Sequence, residues 1–379
     1  MRLVALLAAL PLLTLAWAPT VWASEPLRVG LLQATSVQVA ASTPATVLDA
    51  RGATVLRLGA LESWVAASDG QAIQLSGPNS QTALVAGSVR ILPGAGGHVP
   101  LVFAGVRWYR GTLELKPGAT GVTAINHVPL DQYLYGVVPA EMSASWPLES
   151  LKSQAVAARS YAVASVGKHR GKGYDVCDTD DCQVYRGAAG EHARSNQAVD
   201  GTAGQVLVYG QKVIPAYFHS SSGGHTENSE DVWTAKLPYI RAVPDFDHQS
   251  PKFAWYKSVR AEAIAAGLAR QGIRIGQLLQ VNPLSRSYSG RVREVQVVGT
   301  EGRQVVRGET FRIAAGLNST LFNVVPVGEG APVEFSFAGR GWGHGLGLSQ
   351  WGAKSLAESG YSYLQILGHY YPGAQLGKL

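Results

Sequence analysis

The chain has 379 residues, a formal net charge of +6 and 15% charged side chains. Lys and Arg are scattered along it, apart from the short run at residues 168–172, and this excludes the dense basic clustering of a nucleic-acid-binding protein. Only two cysteines occur, so disulfides cannot hold a fold of this size together. The length allows two or three domains of roughly 100–200 residues each.

Residues 1–23 have the features of a secretory signal. Arg2 supplies a positive charge, residues 3–17 are apolar, and Val21 and Ala23 place small side chains at the minus-three and minus-one positions of a cleavage site. The alternative is an uncleaved membrane anchor, but prolines 11 and 19 oppose a spanning helix of about 20 apolar residues. Cleavage would remove the charge of Arg2 and lower the net charge from +6 to +5. We expect an exported protein, periplasmic or extracellular, with no transmembrane span after signal cleavage.

Residues 24–125 are predicted to form a β-rich N-terminal domain. Short runs of Val, Ile and Leu, such as those at residues 27–32, 53–58 and 111–115, are separated by Gly, Ser, Asn and Pro turn signals. Several short strands at this spacing favour a small barrel or sandwich.

Residues 126–379 change character and are treated as one further region. An apolar, strand-like run precedes Glu141, and an amphipathic helix is predicted to begin at Pro147, because proline is favoured at the first helical position. Further helices are predicted over residues 191–202, 259–271 and 349–360, and a β-hairpin over residues 291–313. Strands first, then mixed helices and strands, predict an α+β fold with a β-rich N-terminal region.

Glu141 is the first candidate catalytic residue. Residues 137–139 and Met142 surround it with apolar groups. A carboxyl group desolvated in such a setting has a raised pKa, stays protonated and can donate its proton. The alternative is that Glu141 precedes a helix and its charge favours the positive N-terminal end of that helix.

A polar loop, HSSSGGH, runs from His219 to His225. Two histidines at this spacing match no common zinc signature, and no G-x-S-x-G elbow surrounds the serines. The loop is also consistent with a tight polar turn whose glycines let a sugar or another backbone approach closely. Ser221 and His225 are the candidate binding residues in this loop.

A glycine-rich patch at residues 339–347 contains Arg340, Trp342 and His344. It lacks the Lys-Ser/Thr of a phosphate-binding loop. An exposed tryptophan and histidine on such a loop suit sugar, since the ring can stack on a pyranose and the imidazole can bond hydroxyl groups. A core tryptophan beside a tight turn is the alternative.

Cys177 and Cys182 are close in sequence, and three interpretations of the pair stay open. In an exported protein a Cys177–Cys182 disulfide is favoured. A zinc site, with His169 or Asp181 as further ligands, is the second interpretation, and two free thiols are the third.

Several segments, in order along the chain, resemble the SpoIID/LytB family of stage II sporulation protein D and amidase enhancers. These segments are YLYGVVPAEM, SWPLESLKSQAVAARSYA, VCDTDDCQVYRG, YFHSSSGGHTENSEDVW, SGRVREVQVVG, GRGWGHGLGLSQWGA and HYYPG. The resemblance implies a peptidoglycan-directed protein, and sporulation members are lytic transglycosylases whose essential acid corresponds to Glu141. Some members bind zinc in the loop corresponding to residues 175–183, where Asp181 here replaces a His.

We therefore expect a lytic transglycosylase that cleaves the β-1,4 bond between N-acetylmuramic acid and N-acetylglucosamine to a 1,6-anhydro product. Glu141 would act first as acid and then as base, and no cofactor is expected apart from the alternative of zinc. The expected partners are peptidoglycan glycan strands, with no nucleic acid. The rival is a non-catalytic amidase enhancer that binds glycan and stimulates an amidase; a zinc amidase is disfavoured. The candidate substrate-binding residues are Arg159, Tyr161, Ser221, His225, Trp342, His344 and Gln350.

Overall fold

The computed structural model describes residues 25–233, 235–328 and 331–379, so the predicted signal segment lies outside the described residues. The chain separates into two compact units. The first, here called the N-terminal unit, ends at Pro215 and also includes residues 377–379. The second, the C-terminal unit, comprises residues 216–376. No helix within the described ranges combines the length and the apolar character needed to cross a membrane.

Twelve strands come first in the N-terminal unit. Their inward side chains alternate with outward ones: in the strand Ala72–Ser76, Ile73 and Leu75 are buried while Gln74 is exposed. The strands are β1 Leu27–Ala34, β2 Ser36–Ala41, β3 Ala45–Leu48, β4 Thr54–Leu58, β5 Trp64–Ser68, β6 Ala72–Ser76, β7 Thr82–Ala86, β8 Val89–Pro93, β9 Leu101–Ala104, β10 Arg107–Arg110, β11 Thr112–Gly118 and β12 Gly121–Val128.

Helices and short strands follow in the same unit. The helices are α1 Leu130–Glu141, α2 Leu148–Ala164 and α3 Ala193–Asp200, and the strands are β13 Val176–Cys177, β14 Gln205–Tyr209 and β15 Lys212–Val213. One sheet has the order β13-β1-β12-β11-β8-β3-β4 and a second has the order β10-β9-β2-β5-β6-β7. The predicted domain boundary after residue 125 falls within β12, inside this unit.

The run before Glu141 is a helix, so the prediction of strand-like structure there was wrong. Four buried residues of α1, Tyr133, Leu134, Val137 and Val138, recur at the spacing of one helical face. The valines and tyrosines of the run have high strand propensity, and tertiary packing overrides that preference. The predicted helix after Pro147 is confirmed as α2.

The C-terminal unit mixes short strands and helices. Its elements are β16 Phe218–His219, α4 Ser229–Val232, β17 Ala254–Arg260, α5 Ala261–Arg270, β18 Leu278–Arg286, β19 Val292–Gly299, β20 Gly302–Arg307, α6 Gly308–Ala315, β21 Phe322–Val327, β22 Glu334–Arg340, β23 Leu348–Ser349, α7 Gln350–Glu358, α8 Tyr363–Tyr370 and β24 Gln375–Lys378. The last residues of β24 belong to the N-terminal unit, where this strand lies beside β14.

Part of the C-terminal unit has its own hydrophobic core, lined by Trp255, Phe311, Phe322 and Phe337 among others. The predicted hairpin at residues 291–313 forms as β19 and β20, but its second strand ends at Arg307 and α6 follows. Phe311, Ala314 and Ala315 are buried at helical spacing, which explains the change. The structure confirms the α+β class and the β-rich N-terminal region.

Candidate functional site

Glu141 is the last residue of α1, and its side chain is half-buried. The backbone N–H of Val184 donates a hydrogen bond of 3.1 Å to Glu141 Oε1. Helix α2 begins only at Leu148 and has Glu149 as the acid of its first turn. Glu141 therefore does not stabilise the start of α2. It lies instead at the C-terminal end of α1, where the helix dipole disfavours a negative charge.

The residue before Val184 holds this donor in place. Gln183 is buried, and its Nε2 donates to the Ala158 carbonyl at 3.3 Å while its Oε1 accepts from the Tyr133 hydroxyl at 3.4 Å. These two bonds connect the segment to both α1 and α2. A donor fixed in this way needs no reorganisation when charge changes on its acceptor.

The residue after Val184 is anchored to the β-sheet. The Tyr185 hydroxyl donates to Asn126 Oδ1 at 3.1 Å, and Asn126 Nδ2 donates to the carbonyls of Arg110 and Thr112 at 2.8 and 3.1 Å. Both Tyr185 and Asn126 are buried. The buried hydrogen bonds make this side of the segment rigid as well.

Arg159, predicted at the edge of the cleft, is fully buried. Its Nε donates to Asp131 Oδ1 at 2.9 Å, and its Nη atoms donate to the carbonyls of Gln205 and Val199 at 3.1 and 3.2 Å. Burial lowers the pKa of Arg159, and Asp131 opposes that shift. These contacts hold α1, α2, α3 and the start of β14 together and direct the guanidinium away from solvent.

Tyr161, also on α2, is buried. Burial raises the pKa of its hydroxyl, while the neighbouring Lys168 lowers it and Cys182 raises it further. Tyr161 therefore lies beside the cysteine-containing loop rather than on an open surface.

A cluster of four metal-ligating side chains, here called the Cys–His–Asp cluster, comprises His169, Cys177, Asp181 and Cys182. Their ligand atoms all lie within 4.8 Å of one another. His169 Nε2 is 3.3 Å from both Cys182 Sγ and Asp181 Oδ2. The two sulfurs lie 2.6 Å apart and both cysteines are free. Their hydrogen bond lowers the pKa of the Cys177 thiol to about 5 and raises the pKa of the Cys182 thiol, and a thiolate is the form that binds metal.

The Cys–His–Asp cluster fits zinc. Zinc takes nitrogen, thiolate and carboxylate ligands in a tetrahedron, with Zn–S near 2.3 Å and Zn–N near 2.0–2.1 Å. The cluster offers one nitrogen, two sulfurs and one carboxylate, and Asp181 supplies the oxygen. The two sulfurs are closer than the vertices of such a tetrahedron, so they would separate when a metal binds. The Cys177–Cys182 disulfide stays a prediction.

In the C-terminal unit, the HSSSGGH loop and the glycine-rich patch come together. The N–H of Trp342 donates to the Ser221 carbonyl at 2.7 Å, and the N–H of Ser221 donates to the Trp342 carbonyl at 3.2 Å. Strands β16 and β23 pair in parallel beside this bridge. The rings of His219 and His344 lie 5.5 Å apart.

Alternating glycines make this approach of two backbones possible. Residues 341, 343, 345 and 347 are all glycines with positive φ. A Cβ at Gly341 would lie 2.7 Å from the Ser222 backbone, and one at Gly347 would lie 2.2 Å from the Tyr217 carbonyl. Glycine is required here both by conformation and by space.

The serines of the loop bind carboxylates of the same unit. Ser221 is fully buried and its hydroxyl donates to Asp247, while the Ser222 hydroxyl donates to Asp245 Oδ2 at 2.6 Å. Asp247 also accepts from the N–H groups of residues 223 and 224 at 2.8–2.9 Å. Sequence reasoning missed Asp245 and Asp247; two acids in the segment PDFD were the available signal.

His225, His344 and Gln350 are also engaged within the unit. Leu346 N–H donates to His344 Nδ1 at 2.9 Å, and burial lowers the pKa of His344 to about 4, so its ring is neutral at pH 7. His225 Nδ1 lies 2.9 Å from the Thr226 carbonyl. Gln350 is buried.

Trp342 is the exposed member of the predicted site residues, with 42% of its surface accessible. Lys252 Nζ lies 4.4 Å from the centre of its ring and covers one face. Of the seven predicted binding residues, Trp342 is therefore the one best placed to stack on a ligand.

Two further buried charges were missed. Arg291 is 2% exposed and donates to the Ser222 carbonyl at 2.7 Å, and burial lowers its pKa to about 10. Glu227 is fully buried and accepts hydrogen bonds from Ser287 and Ser289. The sequence around Arg291 suggested only a hairpin, and the sequence before Glu227 suggested only a polar turn.

Comparison of the sequence with known proteins identifies the family. Residues 118–209 match the stage II sporulation protein (SpoIID) family, and residues 227–347 match a domain of unknown function, DUF8618. Stage II sporulation protein D of Bacillus subtilis is 31% identical over 275 residues, which cover 68% of this chain and 77% of that protein. The chain belongs to the stage II sporulation protein D family.

Two other relatives extend the comparison. An uncharacterized protein of Brachyspira hyodysenteriae is 31% identical over 72% of this chain and 73% of its own length. The amidase enhancer of Bacillus subtilis is 31% identical over 64% of this chain but 40% of its own length. The SpoIID match includes Glu141, Val184 and the whole Cys–His–Asp cluster.

Proposed function

We propose that this SpoIID-family protein is an exported lytic transglycosylase that cleaves peptidoglycan glycan strands. The observation that carries the proposal is Glu141, a half-buried carboxyl at the end of α1 with one oxygen held by the Val184 N–H at 3.1 Å. The family match supports a role at the bacterial cell wall.

In the first step, protonated Glu141 donates its proton to the glycosidic oxygen between N-acetylmuramic acid and N-acetylglucosamine. Because Oε1 accepts the Val184 hydrogen, the proton is carried by the other carboxyl oxygen. The C1–O bond breaks, the N-acetylglucosamine unit leaves with its oxygen protonated, and an oxocarbenium-like centre develops on the muramic ring.

In the second step, the Glu141 carboxylate removes the proton from the C6 hydroxyl of the same muramic residue. The C6 oxygen closes on C1 and forms the 1,6-anhydro ring, so no water is consumed. One carboxyl group thus serves as acid and then as base and is regenerated protonated.

The Cys–His–Asp cluster would contribute indirectly. A structural zinc held by His169, Cys177, Asp181 and Cys182 would supply rigidity to its loop. Cys182 lies two residues before Val184, so the same loop leads directly to the donor that holds Glu141. No chemical step needs the metal.

A second candidate function is an amidase enhancer without catalysis of its own. It rests on the similarity to the Bacillus subtilis protein of that name. Such a protein would bind glycan and stimulate an amidase.

The deciding experiment is mass spectrometry of purified, peptide-free glycan strands incubated with the protein or with a Glu141→Gln variant. We expect anhydromuramic ends from the wild type and a loss of at least about a hundredfold in the variant, because the acid is absent. Glu149→Gln is the matched control, since Glu149 makes a surface pair with Lys152.

Anhydromuramic ends from Glu141→Gln at the wild-type rate would remove Glu141 from the mechanism. Binding without products from either protein, with stimulation of an added amidase, would establish the enhancer instead.

A further inference from the structure

The C-terminal unit contains a three-stranded antiparallel sheet in the order β17-β22-β21. One face of this sheet covers the unit's hydrophobic core with Trp255, Phe322, Phe335 and Phe337. Because side chains alternate along a strand, the residues between these point to the opposite face. We call that opposite side the outer face; its residues are Ala254, Tyr256, Ser258, Asn323, Val325, Ser336, Ala338 and Arg340.

The outer face is a shallow groove beside an aromatic ring. Tyr256 pairs across the sheet with Ala338, which pairs in turn with Asn323. Tyr256 is 86% exposed, whereas the small side chain of Ala338 leaves open space beside the tyrosine ring. Two adjoining grooves of about 410 and 500 Å³ share these three residues. From Ala254 to Ser258 the face is about 13 Å long, at about 3.3 Å per residue, and this is enough for more than one hexose ring.

Polar groups line both ends of the groove. At one end Ser258 and Ser336 lie opposite each other, with their hydroxyl oxygens 2.9 Å apart. At the other end Arg340 is exposed and, among the described residues, forms no salt bridge. Arg286 is fixed there by hydrogen bonds from Nη2 to the Phe322 carbonyl at 2.9 Å and to Asn323 Oδ1 at 3.0 Å.

We propose that the outer face is a second glycan-binding site, which recognises the free lactyl carboxylate of peptide-free strands; the choice of this polymer rests on the proposed function. The ring of Tyr256 would stack on the apolar face of a sugar. The hydroxyl and amide groups would bond sugar hydroxyls, and the guanidinium groups of Arg340 and Arg286 would bind the carboxylate. When a stem peptide is removed, the amide that joined it to the muramic residue becomes a free lactyl carboxylate.

A docked protein fits the outer face less well. The centre of a protein interface is depleted of charged residues and rich in apolar contacts. Here the exposed apolar side chains of large size are Tyr256 and Val325, and Ser258, Ser336, Asn323, Arg286 and Arg340 place hydroxyl, amide and guanidinium groups beside them. The face is thus closer in character to a saccharide site.

The test measures binding in the Glu141→Gln background, so that cleavage does not consume the ligand. Peptide-free glycan strands and strands that retain their stem peptides are titrated separately. The test variant adds Tyr256→Ala and Arg340→Gln. The control variant adds Tyr209→Ala and Arg303→Gln, because Tyr209 is an exposed tyrosine at 41% and both residues lie outside the grooves.

We expect the test variant to bind peptide-free strands at least about tenfold more weakly, and the control to bind within about twofold of its parent. Strands with stem peptides should bind the parent more weakly than peptide-free strands do. Equal losses in test and control variants would overturn the proposal. Unchanged glycan binding would also overturn it, and loss of amidase binding in that case would identify a protein surface instead.

This outcome is independent of catalysis. If the wild type makes no anhydromuramic ends but the test variant loses glycan binding, the transglycosylase proposal fails and the outer face stands. If the wild type cleaves and the test variant binds like its parent, the transglycosylase proposal stands and the outer-face proposal fails.

Discussion

The Val184 amide and the Glu141 carboxyl are 43 residues apart in sequence, yet they share a hydrogen bond of 3.1 Å. The donor is a backbone group, so a substitution at Val184 other than proline leaves it in place, and it can otherwise be disturbed only through the residues that support it. In the proposed mechanism, this bond leaves the proton on the other carboxyl oxygen. It therefore makes the geometry of the loop at residues 177–185 part of the proposed acid.

Gln183→Ala should weaken catalysis although Gln183 does not contact the substrate in the proposed mechanism. The change leaves the buried Tyr133 hydroxyl without its acceptor, which costs about 1–3 kcal/mol, and frees the Val184 segment. We expect a lower kcat for release of anhydromuramic ends, with a KM close to that of the wild type. The Gln183→Glu variant, which keeps an acceptor for Tyr133, should recover part of the loss. A proportional rise in KM for the alanine variant would argue that Gln183 contacts substrate instead.

Metal binding should require the Cys–His–Asp cluster. Under reducing conditions, native mass spectrometry should show one zinc ion bound to the wild type and none to Cys177→Ser, since the sulfur ligand is lost. Zinc should raise the melting temperature of the wild type and leave that of the variant unchanged. Without reductant, a Cys177–Cys182 disulfide would lower the mass by two hydrogens and block zinc. Zinc bound equally by Cys177→Ser would place the site elsewhere.

Arg159→Leu should destabilise the N-terminal unit. The substitution leaves Asp131 without its partner and removes the guanidinium hydrogen bonds to the carbonyls of Val199 and Gln205, although Thr202 still donates to the Val199 oxygen. Because Asp131 keeps contact with solvent, we expect a loss of about 1.5–3 kcal/mol, the contribution of a hydrogen bond to a charged group, and urea unfolding measures this. Lys152→Ala is the control, since it breaks a partly exposed pair with Glu149 and should cost at most about 1 kcal/mol. A loss of glycan binding with unchanged stability would return Arg159 to the substrate site.

Stability should fall as the pH decreases from about 6.5 to about 4. Burial lowers the pKa of folded His344 from 6.5 to about 4, so in this window the unfolded chain binds a proton that the folded chain does not. The stabilisation is fully present above pH 6.5, and its loss amounts to at most about 3 kcal/mol at 1.36 kcal/mol per pH unit. His344→Gln should reduce the slope of unfolding free energy against pH in this window, and part of the slope should remain because burial also lowers the pKa of His219 and His369. The same change at the exposed His248 should not reduce the slope, and an equal reduction by both would refute the assignment.

The sequence predicted the elements with strong local signals. The helix after Pro147 and the β-rich N-terminal region formed as expected, because proline, the alanine stripe and the turn residues act locally. The helix before Glu141 was missed since its valines and tyrosines prefer strands in isolation. Its helical form depends on packing that involves residues far away in the chain.

The candidate site was predictable where the residue type carries the chemistry. The cysteines and Glu141 are visible in the sequence, but the Val184 N–H is not, because every residue except proline has such a donor. The burial of Arg159 was not predictable for a related reason: the carbonyls of Val199 and Gln205 that accept its hydrogen bonds leave no trace in the sequence. Asp245 and Asp247 looked like ordinary loop acids until the Ser221 and Ser222 hydroxyls came to lie beside them.

The alternating glycines at residues 341–347 determine which substitutions this segment can accept. Each has positive φ, and side chains at Gly341 and Gly347 would collide with backbone atoms of residues 222 and 217. In a saturation library selected for folded protein, these four positions should accept almost no replacement. Trp342, exposed between two of them, should vary freely under that selection and become restricted only when survival depends on glycan. Adjacent codons of this segment would thus be under two different selective pressures: folding at the glycines and glycan-dependent survival at Trp342.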